Sequence, residues 1–134
     1  MRELLCKAKE KKSNQWAEGY YYRLWSCSDG IMYDVHCIHH YDMNESYEIK
    51  IDTLCQLTHM TDVNGKKVWE NDIVKTSNGF TLQVVWSDKY QEFLFKNLEG
   101  GYDFMNGMIS ELSTFSKDKK FEVVGNMFDR RKLT

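Results

Sequence analysis

Apolar and polar side chains alternate with a period of two through most of this chain. In ELLCKAK, Leu4, Cys6 and Ala8 share one face while Glu3, Lys7 and Lys9 lie mostly opposite, the pattern of a half-buried strand. The polar KKSNQ follows. WAEGYYYRLW then places Trp16, Tyr20, Tyr22 and Leu24 on one side, so the two segments are expected to form a hairpin. The pattern breaks at Asp29-Gly30 and resumes as IMYDVHCIHHY, with Ile31, Tyr33, Val35, Cys37, His39 and Tyr41 in register. DMNES reads as another turn and YEIKI as a short strand. DTLCQLTHMTD shows no alternation, and Thr53 with Gln56 three residues on fits the cap of one helical turn.

The next stretch, TDVNGKKVWENDIVK, contains Asn64-Gly65, a strong hairpin signal because both residues tolerate positive φ. Beyond it Val68, Glu70, Asp72 and Val74 alternate with Lys67, Trp69, Ile73 and Lys75, as in a single strand. FTLQVVW, EFLFKNL, a glycine-rich EGGYDFMNG, MISELSTF and FEVVGNMF complete the chain. Five short strands separated by turns within residues 66–128 predict a small closed barrel of the Src-homology type. The expected fold class is therefore mainly β, α+β at most. It would consist of an antiparallel N-terminal sheet packed on the barrel, with one or two short helices. The chain is read as one domain over 1–134. An N-terminal sheet lobe takes residues 1–52, a connector with its turn 53–65, and the barrel lobe 66–134.

Composition narrows the function classes. An apolar fraction of 42% and an aromatic fraction of 14% support a real core and exclude wholesale disorder. The net charge of −2 is uneven: residues 1–12 and 117–134 each sum to +3, so 13–116 carry −8. An acidic body with basic ends is a poor footprint for duplex DNA, yet it leaves room for a local phosphate contact or a basic protein partner. No apolar run approaches the roughly 20 residues of a membrane span. The start MRELLCKAKEKK alternates where a signal peptide would hold an apolar block, so a cytoplasmic location is expected. Cys6, Cys27, Cys37 and Cys55 form no CxxC pair and read as reduced, small apolar residues. With no proline in the chain, its turns fall to Gly, Asn, Asp and Ser.

Candidate chemistry is sparse. Glu70 and Asp72 stand two apart, a spacing that on a strand would aim both carboxylates to one side, as glycoside cleavage or divalent-metal binding requires. The plainer reading sends Trp69 and Ile73 to the core and leaves Glu70 and Asp72 facing water or bonding turn amides, with Asp62 bonding the backbone of its own turn. In HCIHH, Cys37 and His39 share one face and His36 and His40 the other. With Cys55 or His59 these could hold zinc, but the short ligand pairs of known zinc frameworks are missing. A Cys–His nucleophile lacks an elbow and a third orienting group. Neither GxxxxGK[ST] nor GxGxxG occurs. We therefore assign no catalytic residue, no metal and no cofactor. The nineteen aromatic residues suffice for a core and for a base-stacking groove.

Three segments taken together resemble the YopX family of bacteriophages and prophages of Gram-positive bacteria. MRELLCKAKEKKSNQWAEGYYY matches at Arg2, Glu3, Trp16, Gly19 and Tyr20. LCQLTHMTDVNGKKVWENDIVK matches at Gln56, Thr58, Asp62, Asn64, Gly65, Lys66, Glu70, Asp72, Ile73 and Val74. FEVVGNMFDRRKL matches at Glu122, Val123, Gly125, Asn126 and Leu133. His59 and Asn71 depart from the pattern where it usually has Gly. Arg131 replaces its Pro, and Arg130 and Lys132 make basic a tail that is normally acidic.

The resemblance implies a mostly β protein without established catalytic activity, acting in the cytoplasm of a bacterial host cell. The leading expectation is a non-enzymatic phage accessory protein that binds a host protein, for instance to inhibit a defence system such as a CRISPR nuclease. One alternative is an oligomer that sequesters a nucleotide or other small ligand, and another is a single-stranded nucleic-acid-binding module. Candidate binding residues are Trp16, Tyr20, Tyr22, Trp69, Trp86, Arg130 and Arg131. Exposed strand edges and abundant Tyr, Trp and Met further suggest a homo-oligomer.

Overall fold

Short alternating segments satisfy their backbone groups only by pairing laterally, and the computed structural model shows two antiparallel sheets in a mainly β protein. It describes residues 5–77, 79–89, 91–98 and 121–129. The strands are β1 (Leu5–Lys9), β2 (Trp16–Ser28), β3 (Ile31–His40), β4 (Ser46–Glu48), β5 (Cys55–Thr61), β6 (Lys67–Trp69), β7 (Asp72–Thr76), β8 (Thr81–Ser87), β9 (Glu92–Asn97) and β10 (Phe121–Asn126). Hydrogen-bonded order is β4-β3-β2-β1-β5-β6 in one sheet and β10-β7-β8-β9 in the other. Among the described residues only single 3₁₀ turns interrupt the strands, at Ile51–Thr53 and at 127–129. The four-stranded sheet stands where a small barrel was expected. The expected strand MISELSTF lies outside the described residues.

The chain divides into two units, Met1–Leu57 and Thr58–Thr134. In the first, Ala8, Ala17, Ile38 and Ile49 form the buried cluster, with Cys6, Tyr21, Tyr47 and Leu54 packed against it. In the second, Val68, Val74, Leu82, Val84, Phe95, Phe121 and Val123 are buried together, and Phe95 meets Phe121 edge-to-face at 6.2 Å. Alternation holds where it was expected: Leu82 and Val84 of β8, and Phe121 and Val123 of β10, point inward while Glu122 and Val124 are exposed. Each of these fully buried large side chains stabilises the fold by roughly 1.5–3 kcal/mol.

The longest pairing is the β2–β3 hairpin, in register from Gly19↔His40 to Ser28↔Ile31. Asp29 (φ 52°) and Gly30 (φ 79°) close it, and positive φ at both positions is what a two-residue hairpin turn matching the strand twist requires. The expected break is thus the tip of one long hairpin, with Ser26–Ser28 still paired. At the base of the hairpin Gly19 admits the partner strand closely: a Cβ there would lie 2.0 Å from the His39 carbonyl oxygen.

Two local readings are corrected. Residues 55–61 are not a connector after a helical turn but strand β5, pairing β1 through Cys6↔Gln56 and Lys7↔Cys55. Alternation is lost there: Leu57 and Thr58 are buried consecutively, and His59 follows them with φ 68°. Nor do Lys67–Lys75 form one strand. Asn71 (φ 69°) turns the chain between β6 and β7, so Val68 and Val74 reach the same core from separate strands. At Asn64-Gly65 only Gly65 has positive φ (77°). The Gly65 N–H donates to the Asp62 carbonyl at 3.0 Å and the Asp62 N–H to that of Lys66 at 2.9 Å. These bonds make a turn over Asp62–Lys66 closed by a left-handed glycine, at the place where Asn64-Gly65 signalled one.

Candidate functional site

Beginning with the carboxylates, Asp62 bonds the backbone of its own turn and Asp72 a turn amide, as expected, but both are buried and neither lies on a solvated side. Asp62 is buried, 6% exposed, and its Oδ1 accepts the Asn64 and Lys66 N–H groups at 2.9 and 2.8 Å while Oδ2 accepts that of Val123 at 3.0 Å. Burial alone would raise its pKa. The three backbone donors, from Val123, Lys66 and Asn64, together with the Lys66 charge, outweigh that and hold the carboxyl below its ordinary range. Asp72, 2% exposed, accepts the Trp69 N–H at 2.8 Å on Oδ2 and the Asn126 Nδ2 at 3.0 Å on Oδ1. Asn126 Nδ2 also reaches the Glu70 carbonyl, and its Oδ1 accepts the Phe128 N–H at 3.0 Å. Thr58 Oγ1 donates to the Val68 carbonyl at 2.7 Å. Thr58, Asp62, Asp72 and Asn126 are all buried, and their acceptors and donors serve backbone groups at turns and strand ends. Gln56 is exposed on β5, Asn64 and Gly65 make the turn, and Gly125 sits where the β10–β7 register shifts. A proton-transfer pair would need carboxylates opening on a shared cleft. Here Asp62 and Asp72 instead accept N–H groups that hold the chain in place.

The histidines are likewise engaged apart from one another. His36 Nδ1 and the Tyr21 hydroxyl lie 2.7 Å apart, His39 Nδ1 pairs with Ser46 Oγ, and His40 Nδ1 accepts the N–H groups of Asp42 and Met43. Cys37 and Cys55 are buried. Among the described residues no three His, Cys, Asp or Glu gather to hold a metal ion.

The proposed stacking residues separate into distinct settings. Trp69 is 4% exposed and lies in the interior, which withdraws it from any base-stacking surface. Trp16 is half-buried, with the ammonium groups of Lys7 and Lys9 over its ring at 4.4 and 4.6 Å. Trp86 is 38% exposed, packs edge-on against Phe93 and donates its indole N–H to Asp88 at 3.0 Å. Arg130 and Arg131 lie outside the described residues. Tyr20 and Tyr22 are exposed side by side on β2.

Those two tyrosines belong to a larger feature that alternation alone did not single out. Strand β1 pairs β2 no further than Tyr20, and β4 pairs β3 only at Cys37–His39. Among the described residues, the remainder of the hairpin is therefore a ribbon whose two strands pair only with each other. Register assigns its side chains to two faces. One carries Tyr20, Tyr22, Leu24, Ser26 and Ser28 of β2 beside Ile31, Tyr33, Val35, Cys37 and His39 of β3, without a single Asp, Glu, Lys or Arg. The other carries Arg23, Trp25 and Cys27 beside Met32, Asp34 and His36; Arg23 lies 3.8 Å from Asp34 and over the Trp25 ring at 5.8 Å. Trp25 and Met32 are each 61% exposed and Ile31 68%. The signal was present in the sequence as apolar residues on both faces of one hairpin, more than a half-buried strand needs.

A family model described as YopX protein matches residues 7–133, nearly the whole chain. No curated protein matches it. Among the described residues no helix is long and apolar enough to cross a membrane.

Proposed function

Since the chain belongs to the YopX family, and its buried acids serve the backbone, we propose that it is a non-enzymatic phage accessory protein that acts by binding a host protein. The contact is the mixed face of the β2–β3 ribbon. The observation that carries this reading is the pairing of Trp25 and Met32, both 61% exposed, with the Arg23–Asp34 ion pair on the same face. Trp, Met and Arg are the residue types over-represented at the centres of protein interfaces, where a few large anchors supply most of the affinity. An effector of a host defence system, such as a CRISPR nuclease, is the concrete partner.

Affinity capture from host lysate with the wild-type chain and with Trp25→Ala, followed by titration of the purified partner, tests the reading. The expected result is one saturable partner whose affinity falls at least about tenfold in the variant, the signature of an interface anchor. Absence of a saturable partner, or equal affinity for both chains, would overturn it.

A further inference from the structure

We propose that the uncharged face of the same ribbon is where two copies of this chain associate, stacking face to face as two sheets do in a sandwich. Tyr20, Tyr22, Leu24, Ile31 and Tyr33 are 46, 36, 41, 68 and 44% exposed on that face. At about 200 Å² of full area per large side chain, those fractions leave about 500 Å² of largely apolar surface in contact with water. That is the size of the largest patch a typical monomer exposes, and such patches often serve a function. Two such faces together bury about 1,000 Å², the lower bound for a specific interface.

Charge selects the occupant. From Tyr20 to Val35 the face holds no Lys or Arg, and His39 at its inner end is engaged with Ser46, so it offers a nucleic acid no row of cations to neutralise phosphate with. A partner that placed a carboxylate or ammonium on it would leave that charge desolvated and unpaired. A second copy brings an identical uncharged surface and meets this condition by construction. The whole chain at −2 adds little self-repulsion. A two-fold arrangement also makes every contact twice from one patch. The mixed face, with Trp25 and Met32, remains open on the outside of such a dimer, so the inference stands independently of the host-binding reading.

Light scattering on the purified full chain, from about 1 µM to about 200 µM, brackets the micromolar affinities open to an interface this small. The mass is expected to rise from 16.0 kDa towards twice that value. Tyr33→Lys and Ile31→Lys, on the uncharged face, should each weaken association at least about tenfold, while Met32→Lys, one position away on the other face, should change it less than about twofold. The three side chains are 44, 68 and 61% exposed, so circular dichroism of the variants should match the wild type. A wild-type chain that stays at 16.0 kDa throughout overturns the proposal, whatever else covers the face. So does association that ignores Tyr33→Lys, or that Met32→Lys weakens equally. A monomer that still captures a host protein through Trp25 would reject the dimer and leave the host-binding reading intact.

Discussion

Replacing Asp62 by Asn removes one negative charge and little volume, and its cost follows from three hydrogen bonds. Two run to Asn64 and Lys66 in the exposed turn, where water can take over part of the work, and the third reaches the buried Val123 N–H on β10. An asparagine keeps one carbonyl oxygen. If that oxygen stays on the turn, an amide donor faces the Val123 donor; if it turns to Val123, the turn loses its acceptor. One buried or half-buried N–H is stranded either way, and the remaining bonds lose their charge assistance. We expect a loss of about 2 kcal/mol, and about 3 kcal/mol for Asp62→Ala, which strands all three donors. Guanidinium unfolding followed by tryptophan fluorescence measures this as a shift in midpoint at constant slope.

The pH dependence sharpens the test. Because the folded pKa lies below the unfolded one, the unfolded chain binds more protons between the two values, and stability rises with pH across that window. The contribution of Asp62 is complete above the unfolded value near pH 4 and is lost as pH falls through the folded value. The gap between wild type and Asp62→Asn should therefore be widest at pH 7 and close below about pH 4, since a protonated Asp62 resembles the amide. A gap under about 0.5 kcal/mol at pH 7, or one unchanged down to pH 3, would refute the account of Asp62 as a buried brace between turn and strand.

Four further outcomes are expected. His59→Gly relieves a left-handed residue with an exposed side chain and should stabilise the chain by about 0.5–1 kcal/mol in thermal unfolding. Asn71→Gly should be near neutral, because the relief at φ 69° is offset by loss of the Oδ1 acceptor for Gln83 Nε2. Gly19→Ala forces a carbon to within 2.0 Å of the His39 carbonyl oxygen and should cost at least about 3 kcal/mol or prevent folding, read by circular dichroism and unfolding midpoint. Thiol titration of the native chain should label Cys27 fast, Cys6 more slowly, and Cys37 and Cys55 only on unfolding; rapid labelling of Cys37 would contradict the pairing of β3 with β4.

How much of this was legible depended on where the backbone keeps an ordinary conformation. Period-two alternation was legible in β8, β10 and the base of β2, where one face is buried, whereas β1 buries Ala8 with Lys9 and β3 buries Cys37 with Ile38. The segment from Cys55 to Lys75 was misread at the two points where a non-glycine residue adopts positive φ, His59 and Asn71. The resemblance to a known family had marked both as positions where glycine is usual, and that was the available clue: a glycine site is a statement about φ before it is one about packing. Burial of Asp62 and Asp72 was hidden for a different reason. A carboxylate that accepts backbone N–H groups has the same spacing in sequence as one that faces water, and only the donors, one of them 61 residues away at Val123, tell them apart.

The same distinction bears on where function resides. Thr58, Asp62, Asp72 and Asn126 are buried and bonded to backbone at turns, so the matching positions of the central and C-terminal segments from Thr58 onward secure the second unit. The Tyr20–Tyr33 part of the ribbon lies wholly in the first unit, where Tyr21 packs against the buried cluster, and presents large apolar side chains on both faces. Burial of a polar residue must be offset by hydrogen bonds, which explains Asp62 and Asp72 through folding alone. Exposure of Trp25, Ile31 and Met32 adds nothing to folding. It favours pairing with other strands that a solitary chain gains by suppressing. Structural need therefore accounts for the recognisable motif and leaves the ribbon unaccounted for, which is why the search for partners belongs there: at Trp25 and Met32 for another protein, and at Ile31 and Tyr33 for a second copy.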